Sequence, residues 1–192
     1  MGNAKAGRPR SQEARMAVLR AAGELLRTGE ARDMTVEGVA KLAGVGKQTI
    51  YRWWPGLADI VYECLLEVAT VNIPPPDTGS LQGDVHQFVA RTVQVIKERS
   101  GNHLKYIMAE AQRDAAFGKR FRESFVLKRR QELKAVMQRH LDAHQALLDL
   151  AADLIYGPIW YRLLVGHLDM DLAFVQAICA AAMDHVVKGV RI

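Results

Sequence analysis

Residues 34–56, MTVEGVAKLAGVGKQTIYRWWPG, constrain the fold more than any other stretch of this chain. Thr35 stands where a helix cap belongs, and the apolar residues Val36, Val39, Ala40, Leu42 and Ala43 then run to Gly44. Gly38 occupies the position where a capping box would carry Glu or Gln. Pro55 disfavours helical geometry in the residue before it, so a following helix has to fit between Gly46 and Trp54. Two short helices hinged at a glycine predict a helix-turn-helix, with Ala40 as the small residue at the crossing and Val45 and Ile50 as apolar plugs.

A helical wheel at about 100° per residue assigns the faces of the second helix. With Ile50 and Trp54 inward, Gln48 and Arg52 point outward, Thr49 and Tyr51 flank them, and Lys47 and Trp53 fall at the margins. The adjacent tryptophans therefore divide: Trp54 fills core, while Trp53 packs at the rim with its indole N–H available as a donor.

Charge is distributed unevenly. Residues 1–56 hold ten Lys and Arg against five acids, and the remainder holds sixteen of each. A basic first third joined to a neutral remainder suggests that the first third meets a polyanion. A helix in a major groove fits this: Gln48 can pair with an adenine edge, Arg52 with guanine or phosphate, and the Thr49 methyl with a thymine methyl. Lys47, the Tyr51 hydroxyl and the Trp53 N–H suit phosphates. Arg8 and Arg10, in the leading GRPR, either enter an adjacent minor groove or stay disordered.

The rest of the chain reads as helix. One helix starts near Ser11 and ends before Gly29, and a fourth covers about 58–72 and stops at the linker IPPPDTGS. Further helices fall near 81–100, 102–114, 118–143, 145–167 and 171–190, with Gly101, Gly118 and the GHLDMD turn as separators. The expected domains are 1–57, a helix-turn-helix domain with its basic arm; 58–80, a connecting helix and linker; and 81–192, a second helical domain, to which the family resemblance given below assigns effector binding and dimerisation. The last two helices are apolar over more than half their circumference, a surplus that a second copy or more of the same chain would cover. Pro158 withholds a donor and crowds the Leu154 carbonyl, which predicts a kink or a break. Space beside it would form an apolar cavity between the middle helices from Phe88, Met108, Phe125, Met137, Tyr156 and Trp160; ordinary close packing of the same side chains is the alternative.

Other chemistry is thinly represented. His140 and His144 lie one turn apart, but two histidines do not make a metal site, and no cofactor or metal is expected. No nucleophile, carboxylate pair or phosphate loop stands at a readable spacing, so no enzyme is expected. The eight Lys and Arg of residues 119–139 read as a solvated face balanced by acids elsewhere. Cys64 and Cys179 read as reduced core thiols. No leader is legible and no uncharged apolar run reaches the roughly 18 residues of a bilayer span, so a cytoplasmic protein without membrane contact is expected.

The stretch MTVEGVAKLAGVGKQTIYRWWPG, with its long preceding helix and basic GRPR, resembles the DNA-binding signature of the tetracycline-repressor (TetR) family of bacterial transcriptional regulators. GPIWYRLLVGHLDMDLAFV is similar to the late helices of many members. The resemblance implies an all-α protein, here of about nine helices, with an N-terminal three-helix helix-turn-helix DNA-binding domain. It also implies a C-terminal ligand-binding domain and a homodimer through its last two long helices, here those near 145–167 and 171–190. It carries Thr35, Lys47, Gln48, Thr49, Tyr51 and Trp53 over as DNA contacts. Two positions depart from the family: Trp53 stands where His or Arg is frequent, and Leu57 where members commonly have a lysine that meets phosphate. The expected function is a repressor released from a pseudo-palindromic double-stranded DNA operator by a small, largely apolar effector. An effector-independent DNA-binding protein and a helical metal-dependent enzyme are the competing readings.

Overall fold

The computed structural model describes residues 8–28, 34–69 and 75–189, with the side chains of 8–11, 69 and 187–189 left outside the description. Its helices are α1 (Arg8–Thr28), α2 (Val36–Ala43), α3 (Lys47–Tyr51), α4 (Leu57–Ala69), α5 (Leu81–Val95), α6 (Gly101–Arg113), α7 (Ala115–Phe121), α8 (Leu127–Gln138), α9 (Gln145–Val165) and α10 (Leu172–Gly189). No strand occurs among the described residues, and the fold is all-α.

The chain divides into two compact units, one comprising Met1–Val71 with Asn102–Glu110 and the other Asn72–Gly101 with Ala111–Ile192. In the first unit α1 packs on α2, α3 and α4. Its buried side chains include Val18, Leu19 and Ala22 of α1, Val39 of α2, Ile50 of α3 and Ile60, Val61 and Leu65 of α4. Leu104 and Ile107 of α6 are buried too, and Asn102 donates to the Leu26 carbonyl at 2.7 Å, satisfying one of the orphan acceptors at the end of α1. Cys64 donates weakly to the Leu19 carbonyl at 3.4 Å, and burial pushes its thiol up to about 12. Cys179 rises to about 12 for the same reason, so both thiols stay protonated and inert at neutral pH.

The second unit packs α5 and α8 against α9 and α10. Val85, Phe88 and Val89 of α5, Leu133 and Met137 of α8, Leu148, Ile155 and Ile159 of α9 and Ala182 and Val186 of α10 are all buried. One carboxylate is sunk among them: Asp84 is 1% exposed. Its Oδ1 accepts from the Thr78 N–H at 2.6 Å and the Thr78 hydroxyl at 2.8 Å, while Oδ2 meets Arg139 at 2.8 Å and His140 at 2.7 Å. A charge this buried is tolerable only when both oxygens are engaged in this way.

Several boundaries differ from the sequence expectation for local reasons. Gly101 does not separate helices, because a π-turn at Ile96–Ser100 carries α5 directly into α6. Gly118 lies inside α7, where an added Cβ would sit 2.6 Å from the Ala111 carbonyl oxygen, so it serves close approach. The real break is Asp114, whose carboxylate caps α7 by accepting from Ala116 and Phe117 N–H at 2.9 and 3.0 Å. Pro158 does not break α9, which runs unbroken through it. His140 is spent on Asp84, and His144 caps α9 by accepting from the Ala146 N–H at 3.3 Å. Among the described residues no group of three or more His, Cys, Asp or Glu could hold a metal ion. The basic run is neutralised locally: Arg129 pairs with Glu132, Arg130 with Asp149 and Asp153, and Lys134 with Asp149.

A row of apolar side chains on α9 and the turn after it is left uncovered: Leu150, Tyr161, Leu164, Val165 and Leu168 are all exposed. On α10 the exposed positions include Ala173, Ala177, Ala180 and Ala181.

Candidate nucleic-acid interface

The helix-turn-helix is built by two backbone devices. Thr35 is extended, and its hydroxyl oxygen accepts from the Gly38 N–H at 2.9 Å, capping α2 without the acid that a capping box would add. At the other end Gly44 takes the left-handed conformation at φ 67°, which a Cβ would oppose. The Val45 N–H then donates back to the Ala40 carbonyl at 3.0 Å and the Gly44 N–H to Lys41 at 3.3 Å, closing α2 and turning the chain into α3.

α3 is shorter than the sequence predicts, five residues from Lys47 to Tyr51, yet the turn it starts continues. Trp53 and Trp54 N–H both donate to the Ile50 carbonyl, at 2.9 and 3.0 Å. The faces therefore follow the wheel through Trp54. Ile50 is 0% and Trp54 3% exposed, whereas Tyr51 is 55% and Trp53 41% exposed. Thr35, Lys47, Gln48 and Arg52 are exposed as well, and Thr49 is half-buried. Arg8 and Arg10 fall in the first turn of α1, but their side chains lie outside the described residues.

Two features of this surface are not legible in the motif. Lys47 is paired with Glu37 of α2 at 2.8 Å, a hydrogen bond that lowers the Glu37 carboxyl and raises the Lys47 ammonium from their ordinary values. Trp53 and Trp54 are gripped from outside the motif by Arg15 of α1 and Glu63 of α4. Neither pairing follows from a sequence period, since each joins elements through the tertiary approach of helices.

The residues expected to line an effector pocket are only partly brought together. Phe88 and Met137 are buried, and Phe125, Tyr156 and Trp160 half-buried, in the second unit; Met108 falls in the first. Phe88 and Tyr156 converge on Arg129, whose guanidinium lies 5.3 Å from the Phe88 ring centre and whose carbonyl accepts from the Tyr156 hydroxyl at 3.1 Å. Burial is the main cause that pushes the Tyr156 phenol up to about 12, so it remains a donor. Arg129 also donates to Thr92 at 3.1 Å, which places a cation where the sequence suggested only apolar surface.

These elements define a helix-turn-helix protein whose recognition segment shows a polar, cationic face to solvent. Comparison with known proteins gives the family. Residues 75–182 match the Tetracyclin repressor-like, C-terminal domain. The chain is 31% identical over 191 residues to the uncharacterized HTH-type transcriptional regulator YdeS of Bacillus subtilis, covering 97% of this chain and 94% of that protein. It is 27% identical over 152 residues to the HTH-type transcriptional regulator Rv1556 of Mycobacterium tuberculosis, covering 76% and 73%. Among solved structures, the TetR family transcription regulator SCO0332 superposes with a TM-score of 0.67 at 28% identity over 91% of this chain and 98% of that one. A TetR-family regulator from Mesorhizobium loti also has a TM-score of 0.67, at 19% identity over 93% and 97%, a likeness of fold. The chain belongs to the TetR family of transcriptional regulators, and it is a DNA-binding regulator rather than an enzyme. No helix of the described residues is long and apolar enough to cross a membrane.

Proposed function

We propose that the chain acts as a cytoplasmic homodimeric repressor that leaves a pseudo-palindromic operator when a small, largely apolar effector binds. The reading is carried by the division of the recognition segment into a buried side, Ile50 and Trp54, and an exposed side with Gln48, Tyr51 and Arg52. Gln48 and Arg52 take base edges, Thr49 a thymine methyl, and Thr35, Lys47, Tyr51 and Trp53 the phosphates, with Arg8 and Arg10 extending the contact beyond the motif.

The dimer is supported by the uncovered apolar row on α9 beside the small exposed residues of α10. A two-fold dimer through that row carries two recognition helices, the number that a two-fold operator requires. Phe88, Phe125, Met137, Tyr156 and Trp160 of the second unit form the proposed effector site. An effector weakens DNA binding only by preferring a dimer geometry that no longer fits successive major grooves.

Footprinting of the full-length protein on genomic fragments tests this. Two protected half-sites centred about 34–36 Å apart, or a multiple of that, are expected. A single unsymmetrical block, or no protection at any site, overturns the proposal.

A further inference from the structure

A polar cluster behind the recognition segment remains unused by the DNA-contact pattern. Glu63 of α4 engages two partners: its Oε2 accepts from the Trp54 indole N–H at 2.8 Å, and its Oε1 pairs with the Arg15 guanidinium of α1. Arg15 in turn lies with its guanidinium carbon 5.8 Å from the Trp53 ring centre, within cation–π range. The Arg15 and Glu63 side chains are only 26% and 25% exposed, so the cluster is largely shielded from solvent. The two indoles are 6.4 Å apart and tilted by 43°, so one carboxylate holds the buried ring directly and the exposed ring through Arg15.

We infer that Arg15 and Glu63 are positioning residues for DNA binding: they fix the Trp53 indole at the rim of the recognition segment before DNA arrives. The inference rests on the reading of Trp53 as a phosphate donor. A half-exposed indole at the end of a five-residue helix has several rotamers open to it, and ordering it in advance removes that entropic cost from association. Charge alone predicts the opposite sign for one variant. Removing the Glu63 carboxylate makes the domain more positive and should favour a polyanion, whereas loss of positioning weakens binding.

Binding of the full-length protein to a duplex enriched from random-sequence DNA by the wild type, measured by fluorescence anisotropy over a range of salt, decides between these. Glu63→Leu and Arg15→Lys are each expected to weaken binding about five- to tenfold at an unchanged salt slope, because no cation–phosphate contact is lost. Glu63→Gln, whose single carbonyl oxygen can keep the contact to Trp54 or the one to Arg15 but not both, falls between wild type and Glu63→Leu. In a Trp53→Phe background, which lacks the indole donor, the effect of Arg15→Lys shrinks to under about twofold. Thermal unfolding monitors folding, and if Glu63→Leu does not fold, Arg15→Lys and its cycle with Trp53→Phe carry the test. Tighter binding by Glu63→Leu, or additivity of Arg15→Lys with a Trp53→Phe variant that itself binds weakly, overturns the positioning role alone. A Trp53→Phe protein that binds as wild type overturns the phosphate reading and the positioning role with it.

Discussion

The Lys47 ammonium lies 2.8 Å from a Glu37 carboxylate oxygen, so the first cation of the recognition helix is already engaged by an acid ten positions earlier. Both side chains are more than half exposed, and an exposed pair of this kind contributes little to folding. Its consequence falls on DNA binding, since a phosphate has to share or displace Glu37. Glu37→Gln is expected to leave thermal stability nearly unchanged, to tighten operator binding about three- to tenfold at low salt, and to steepen the salt slope by up to about one. Titrations at several salt concentrations check it, and equal or weaker binding counts against competition.

Thr35 has two tasks that substitutions separate. Its hydroxyl oxygen is occupied by the Gly38 N–H, which leaves its O–H as the group available to a phosphate. Thr35→Ala removes both functions and should cost about 1 kcal/mol of stability along with affinity. Thr35→Asp keeps the cap but sets a charge against the DNA backbone, so it should fold as well as wild type and bind at least tenfold more weakly. Unfolding curves and operator titrations of the two variants decide whether Thr35 does more than cap.

Leu57 opens α4 half-buried, with no ammonium at the position where the family resemblance places lysine. Leu57→Lys is expected to tighten operator binding and steepen its salt dependence by about one unit of slope. Unchanged affinity and slope would show that this helix start does not reach the backbone.

Asp84 makes the second unit acid-sensitive. Its carboxyl is held down from 3.8 to about 2, foremost by the His140 hydrogen bond and then by the Thr78 N–H, against the opposing effect of burial. A folded-state value below the unfolded one contributes stability that is complete above about pH 4 and is lost as pH falls through about 2. Asp84→Asn, which also leaves Arg139 without its charge partner, should lower Tm by about 5 °C or more at pH 7. The gap to wild type should narrow on acidification from pH 4 toward 2. A gap that is constant with pH would show that ionisation of Asp84 is not what stabilises this corner.

The legible parts of this protein are those written in short range. Thr35, Gly44 and Pro55 act on their own neighbours, so the helix-turn-helix and the separation of Trp53 from Trp54 follow from the sequence. Gly101 and Gly118 misled for a physical reason: a glycine allows a break but does not compel one, and here a π-turn and a close helix contact use it instead. The pairing of Lys47 with Glu37 and the grip of Glu63 on Trp54 depend on how helices meet, which no local pattern encodes. Arg129 beside Phe88 was hidden for another reason, because a cation in a basic run reads as solvated until its neighbours in space are known.

Selection of binding sites from random duplex DNA, run in parallel with the wild type and with Gln48→Ala, tests most directly whether the exposed face of α3 reads sequence. The wild type should enrich a two-fold symmetric motif, and Gln48→Ala should enrich the same motif with the preference lost at one adenine-bearing position in each half-site. Identical motifs from the two proteins would mean that Gln48 reads no base, and no enrichment by the wild type would mean that this face of α3 does not recognise DNA sequence.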